Sequence, residues 1–264
     1  MTVGTLTPAE VRRQALAAWR AGLCPIPPGQ DGSKTPFGAN QRWEKWQKER
    51  PSETVLNGWY PNGRTGLGIV CGAVSGSLEC LEFDDRLTHE AFLELASASE
   101  LGDVVAHIRG GYESQTPGGG YHWPYRCSEI AGNTKLARRP KMPEEMSHPE
   151  DKVKVLIETR GQGGFIVEWP SFGKVHPSGK PYKLLSGGFD TIATITPEER
   201  ASLFELARTF DQMPKRGAQE SHPKGNAKGE GKPGDDFNTR SEWGHILEPS
   251  GGPNRHRHRW RLGW

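Results

Sequence analysis

The stretch that most constrains the fold is Leu81-Glu82-Phe83-Asp84, where apolar and acidic residues alternate. Successive side chains of a β-strand point to opposite faces. Leu81 and Phe83 therefore share one face, and Glu82 and Asp84 share the other. Such a segment asks for a sheet with one face in a core and two carboxylates leaving the strand end together. Val153 to Glu158 ends in the same manner, with Val155 and Ile157 on one face and Glu158 on the other. Like charges about 4 Å apart repel by roughly 4 kcal/mol at an effective dielectric near 20. A divalent cation reverses that sign, and hard oxygen donors select Mg2+ or Mn2+. Two such ions can activate an attacking hydroxyl and stabilise a leaving pyrophosphate. Spacing alone favours the blander alternative of solvated strand-end acids, because Glu-x-Asp is a common pattern. Asp85 faces away from the pair and reads as a turn residue.

Two glycine-rich turns flank these acids. Thr116-Pro117-Gly118-Gly119-Gly120-Tyr121-His122 follows a strand-like segment. Gly119 and Gly120 permit positive φ and close approach of the backbone to a ligand. Their N–H groups suit phosphate oxygens, and His122 stands just beyond, where an imidazole can donate to a triphosphate. A tight hairpin with a structural histidine uses the same residues. Arg160-Gly161-Gln162-Gly163-Gly164 directly follows Glu158. Arg160 suits bidentate phosphate binding, or a salt bridge to Glu158. Lys34, in the loop Pro28 to Gly38, is a candidate for phosphate or DNA, or an ordinary loop lysine.

Local signals lay out the rest of the chain. Thr7-Pro8-Ala9-Glu10 and Thr196-Pro197-Glu198-Glu199 each open a helix with a capping box and Pro in the first turn. Helical spacing predicts a further helix over Gln41 to Arg50 and another over Thr88 to Leu101, with Phe92, Leu95 and Ala96 inward. Strands are predicted at Leu23 to Pro27, Gly66 to Cys71, Leu78 to Asp84, Val104 to Arg109, Tyr121 to Arg126, Val153 to Glu158 and Gly164 to Val167. Ser128 to Asp151 is basic, then rich in Pro and Glu, and reads as an exposed excursion. After Met213 the chain turns to Gly, Lys and Pro, the composition of a linker. One folded unit over 1–213 and a linker and tail over 214–264 are expected.

Composition excludes little. A net charge of +2 in 264 residues gives no general argument for nucleic acid, although a local basic groove is compatible with it. Cys24, Cys71, Cys80 and Cys127 form no C-x-x-C pair, so a zinc ribbon is disfavoured. Their scatter fits buried, reduced thiols in a cytoplasmic protein. No apolar run is long enough to span a bilayer, so no membrane partner is expected.

The ordered set of motifs resembles the bifunctional primase/polymerase domain of the archaeo-eukaryotic primase superfamily, of plasmid or phage type. That family carries a strand with paired acids, then a small residue-x-His motif, then a strand ending in a third acid. Here these match Glu82-Phe83-Asp84, Gly120-Tyr121-His122 and Glu158. Gly66 to Gly72, Thr116-Pro117, Gly163 to Val167, Pro170-Ser171, His176 to Gly179 and the Lys34-Thr35-Pro36 loop extend the likeness over about residues 10 to 210. Glu replaces the usual Asp at the first acid, and the third acid is Glu as well. Glu168-Trp169 stand where the family favours small or apolar residues.

The resemblance implies an α+β fold, with a small N-terminal α/β unit on an RRM-like antiparallel sheet with flanking helices. It implies that Glu82, Asp84 and Glu158 bind catalytic Mg2+ or Mn2+. It places His122, Gly119, Gly120, Arg160 and Lys34 at the nucleotide. Nucleoside triphosphates and a single-stranded DNA template follow as partners, and a replicative helicase as a further one. Pro233 to Asn238 resembles the entry into a helicase region, so the chain is expected to be truncated or frameshifted beyond it. Two other readings fit the residues. One is a catalytically inactive single-stranded DNA or origin-binding module, with Trp43, Trp46 and Trp123 stacking bases. The other is a metal-dependent nuclease, disfavoured by the His122 turn.

Overall fold

The computed structural model describes residues 6–60 and 63–214. In chain order the elements are α1 (Pro8–Arg20), β1 (Cys24–Ile26), α2 (Glu53–Trp59), β2 (Leu67–Val70), β3 (Leu78–Phe83), α3 (Arg86–Ser97) and α4 (Gly102–Gly111). They continue with β4 (Tyr112–Gln115), β5 (Tyr121–Arg126), β6 (Thr134–Pro140), β7 (Val153–Arg160), β8 (Phe165–Glu168), β9 (Lys183–Gly187) and α5 (Pro197–Arg208). The fold is α+β. A six-stranded antiparallel sheet runs in the order β6-β7-β3-β5-β4-β9, beside a three-stranded antiparallel sheet β1-β2-β8.

The alternation in β3 is realised as read. Leu81 and Phe83 enter a core with Trp123, Tyr125, Phe92, Ile108, Leu203 and Phe204, contributed by β5, α3, α4 and α5. On the opposite face Leu78, Cys80 and Tyr112 pack with Val11 and Ala15 of α1 and with Leu67, Ile69 and Ile166 of the small sheet. Late-sequence β8 thus completes a unit otherwise built from the N-terminal residues.

Both capped helices form. At α5 the box is reciprocal: Glu199 N–H donates to Thr196 Oγ1 at 3.2 Å and Thr196 N–H donates to Glu199 Oε2 at 2.8 Å. At α1 only half of it forms, Glu10 N–H to Thr7 Oγ1 at 3.2 Å, because the Glu10 carboxylate is taken by Arg13 and Gln14.

Several expectations are corrected. Val104 to Arg109 lies in helix α4, not in a strand. Val105 and Ile108, three apart, are its buried face, so packing overrides the β propensity of a Val-Val run. The Ser128 to Asp151 excursion contains β6, paired along β7 through two register shifts. Only Glu44–Gln47 of the helix expected over Gln41 to Arg50 is helical, as one 3-10 turn. Helix α3 starts at Arg86, with Asp85 as its N-cap rather than a turn residue: Thr88 N–H donates to Asp85 Oδ1 at 2.9 Å. Leu95 is exposed rather than inward. All four cysteines are buried free thiols. Among the described residues no helix is long and apolar enough to cross a membrane. The expected linker and tail, with the helicase-like stretch Pro233 to Asn238, lie outside the described residues apart from Pro214.

Candidate active site

Strand register brings the distant motifs into one line. Glu82 on β3 stands opposite Glu158 on β7 and opposite His122 on β5, and His122 in turn faces Ser114 on β4. Directly paired residues of antiparallel strands point to the same side. Glu158, Glu82, His122 and Ser114 therefore form a row across four strands. Glu158, Glu82 and His122 of this row open into a cleft of about 670 Å³ between the two sheets, lined also by Lys34, Trp43, Asp84, Arg160, His176 and Tyr182, while Ser114 is fully buried.

Arg160 compensates the two acids of the row. Its Nε donates to Glu82 Oε2 at 3.1 Å and its Nη2 to Glu158 Oε1 at 2.6 Å. Burial raises the Glu158 carboxyl above the ordinary range; Arg160 opposes that rise and neighbouring Glu82 adds to it. Asp84, just past the strand end and exposed, pairs with Lys154 Nζ at 3.2 Å, which also reaches Asp85 at 3.1 Å. Among the described residues the three acids do not form a group with converging ligand atoms. The group that does is Cys80, His122 and Glu168, all buried, with ligand atoms within 4.8 Å of one another. Its atoms are already committed. His122 Nδ1 and Glu168 Oε1 are 2.7 Å apart, and Glu168 Oε2 accepts from Tyr112 at 3.0 Å and Ser114 at 2.6 Å. Burial, with Glu82 and Glu168 nearby, pushes the Cys80 thiol well up.

His122 is buried, with Nε2 3.8 Å from Glu82 Oε1. Burial disfavours its charged form, but the carboxylates of Glu168 and Glu82 outweigh burial and raise its pKa above the ordinary value.

The two glycines of the preceding turn are placed differently from expectation. Gly119 N–H donates to Thr116 O at 3.0 Å and Gly120 N–H to Thr116 Oγ1 at 3.1 Å, so neither amide is preformed for phosphate. Gly120 serves close approach: a Cβ there would lie 2.3 Å from the Phe83 carbonyl oxygen. Lys34 is exposed at the cleft rim and adopts φ 58°, a backbone region seldom used by residues other than glycine. Its loop is held by Asp31, which accepts from Ser33 N–H at 2.9 Å and Ala39 N–H at 3.3 Å.

Of the tryptophans singled out for base stacking, Trp123 is fully buried in the helix-side core and is excluded from that role. Trp46 packs edge-on to Trp59, their ring centroids 4.7 Å apart. Trp43 alone of the three lines the cleft. Sequence reasoning missed Lys154 and Glu168 as site residues. The signal for Glu168 was present, an acid closing the apolar run Phe165-Ile166-Val167 as Glu82 follows Leu81.

Hard oxygen donors facing each other across a strand pair require positive charge, and Arg160 supplies it here. A divalent cation would answer the same demand, so the residues fit one in donor chemistry and in charge. An α+β fold whose six-stranded sheet delivers carboxylates and a histidine into one polar cleft offers donors suited to metal-assisted chemistry. A family model described as bifunctional DNA primase/polymerase, N-terminal, matches residues 15–201. That is more than half of the chain, and the chain belongs to this family of primase/polymerase nucleotidyltransferases. A search of curated proteins finds no match.

Proposed function

We propose that this protein is a metal-dependent DNA primase/polymerase that joins nucleotides on a single-stranded DNA template in plasmid or phage replication. The observation that carries the reading is the row Glu158–Glu82–His122 across β7, β3 and β5. Glu82, Glu158 and, from the strand end, Asp84 would hold Mg2+ or Mn2+. When bound, such ions supply Lewis acidity to the attacking hydroxyl and to the departing pyrophosphate. His122 directs Nε2 toward the cleft and binds the triphosphate. Arg160 gives up its carboxylates to bind phosphate oxygens, where its planar fork suits bidentate contact. Lys34 adds charge at the rim. Gly119 and Gly120 contribute through the shape of the hairpin that aims His122. Trp43 offers a ring face to a base, and template grip is distributed over basic and aromatic side chains.

Arg160 also favours a second reading. Two carboxylates already neutralised by a guanidinium suit a catalytically inactive single-stranded DNA or origin-binding module. Incubation with a single-stranded template, labelled nucleotides and Mn2+ or Mg2+ separates the two. Template-dependent products are expected, and their absence at every metal concentration leaves the binding module as the better account.

His122→Ala is expected to weaken nucleotide binding far more than template binding. A charge-assisted hydrogen bond contributes roughly 1.5–3 kcal/mol, so nucleotide affinity falls about tenfold to a hundredfold. Affinity for single-stranded DNA stays within about twofold and keeps its fall with salt. Titrations with nucleotide plus Mn2+ and with labelled DNA check this, and loss of DNA binding with nucleotide binding unchanged refutes the triphosphate role.

Residues 1–213 are expected to carry all the polymerising activity. The capped helix α5 ends at Arg208, and the sequence after Met213 is rich in Gly, Lys and Pro and poor in apolar residues, a composition unsuited to a catalytic core. A protein ending at Met213 should fold and incorporate nucleotides at the rate of the full chain. Unfolding, or a folded but inactive product, would place the tail within the catalytic unit.

A further inference from the structure

Glu168 closes β8 after the apolar Ile166 and Val167, and no part of it reaches solvent. Burying an ionised carboxylate is costly unless its oxygens are fully hydrogen-bonded. Here they are: Tyr112 and Ser114 on β4 hold Oε2, and His122 on β5 meets Oε1 at 2.7 Å. All three partners belong to the six-stranded sheet, whereas Glu168 belongs to the three-stranded one. A well-packed apolar residue would serve packing alone at least as well, so the charge calls for another role.

A carboxylate can only accept, so His122 Nδ1 carries the proton of their bond, and Nε2 donates to a phosphate when the ring is doubly protonated. That bond removes the ring's freedom to exchange its two nitrogens, and the partner of one ring nitrogen decides what the other can do. With Nδ1 tied to Glu168, Nε2 is left on the cleft side, 3.8 Å from Glu82. Tyr182 closes the surroundings, its ring centroid 6.5 Å from that of His122.

We propose that Glu168 is a positioning residue, which Tyr112 and Ser114 anchor and which grips His122 by Nδ1 so that Nε2 faces the incoming triphosphate. The inference rests on the nucleotide-binding role of His122 given above. Outer partners of metal-ligating histidines, where removed, typically weaken metal affinity or activity by roughly 10–100-fold, and an effect of that order is expected for a histidine held to a phosphate.

The test is a double-mutant cycle on the full chain with Glu168→Gln, His122→Ala and their combination. Glutamine keeps the shape and one acceptor. Tyr112 and Ser114 donate to that acceptor, so the amide N–H2 is turned toward Nδ1, which can then no longer donate to its partner. Affinity is measured for labelled dATP or ATP with Mn2+, using whichever binds the wild type more tightly, and separately for labelled single-stranded DNA. Glu168→Gln is expected to weaken nucleotide binding about tenfold and to leave DNA binding within about twofold. In the His122→Ala background it should change nucleotide affinity by less than about twofold, because there is no ring left to orient. If Glu168→Gln does not fold, Tyr112→Phe takes its place in the cycle. It removes one of the two hydroxyls on Oε2, and the expected pattern is the same at smaller size. Losses that add in the double variant would mean that Glu168 acts through the scaffold and would overturn the proposal. Nucleotide affinity that falls in His122→Ala but not in the Glu168 variant overturns it while leaving the role of His122 intact. No nucleotide binding by the wild type overturns both.

Discussion

Glu82→Gln is expected to abolish template-directed incorporation in a protein that remains folded. Glu82 is the centre of the row, opposite both Glu158 and His122. Metal Lewis acidity contributes several kcal/mol to the transition state. Each 1.4 kcal/mol is about tenfold in rate, so a fall of roughly two orders of magnitude or more follows. Folding is far less exposed to the change. Glutamine keeps the shape, and Arg160 keeps Glu158 as partner. The lost charged hydrogen bond costs roughly 1.5–3 kcal/mol, offset by the repulsion between Glu82 and Glu158 that disappears with it. Asp84→Asn should show the same loss of incorporation with a smaller effect on stability, since Asp84 is exposed and Lys154 retains Asp85. Asp85→Asn is the control. It touches the α3 N-cap and should leave incorporation near the wild-type rate. Single-turnover incorporation and thermal melting of the same preparations decide the matter. Wild-type rates in Glu82→Gln would remove the carboxylates from the reaction.

The second large effect falls on stability, away from the cleft. Glu113→Ala is expected to destabilise the protein by about 3–5 kcal/mol, the cost of leaving a buried pair without one partner. Glu113 lies on the helix-side face of the sheet, and its Oε1 accepts from Trp123 Nε1, Arg109 Nε and His89 Nε2 at 3.0, 3.0 and 3.1 Å. Arg109 Nη2 donates to Oε2 at 3.0 Å. Truncation leaves the buried His89 and Trp123 without the carboxylate they share. For a domain of this size the melting temperature should drop by roughly 6–20 °C. A pH signature accompanies it. Burial alone would raise the Glu113 carboxyl, but the hydrogen bonds from His89, Arg109 and Trp123, with the charge of Arg109, hold it down at about 2, against 4.5 ordinarily. A depressed carboxyl adds stability above the unfolded value, and that stability is lost as pH falls from about 4.5 toward 2. Denaturant unfolding across that window should give a shallower acid decline for Glu113→Ala than for the wild type. Equal slopes would show that Glu113 does not supply the linkage.

Much of this protein is written locally in its chain. The alternation in Leu81-Glu82-Phe83-Asp84 settled which side chains share a face, because the two-residue period belongs to the strand itself. Thr196 and Glu199 marked the start of α5, because a cap is satisfied within four residues. The candidate acids and His122 were legible from their motifs in order. Other features depended on what covers each segment. Val104 to Arg109 carries strand propensity, yet Val105 and Ile108 bury as one helix face. Trp123 read as a base-stacking ring until β5 placed it beneath α3. Register and burial join residues far apart in the chain. Arg160 and Glu82 are 78 positions apart, and Glu168 and His122 are 46 apart. No local period encodes such pairs. The sequence by itself determined which residues point the same way. Only the tertiary structure decided that Arg160 neutralises the acidic row and that a carboxylate unlike the rest of its strand grips the histidine, because both follow from which strands pair and which sheet lies behind them.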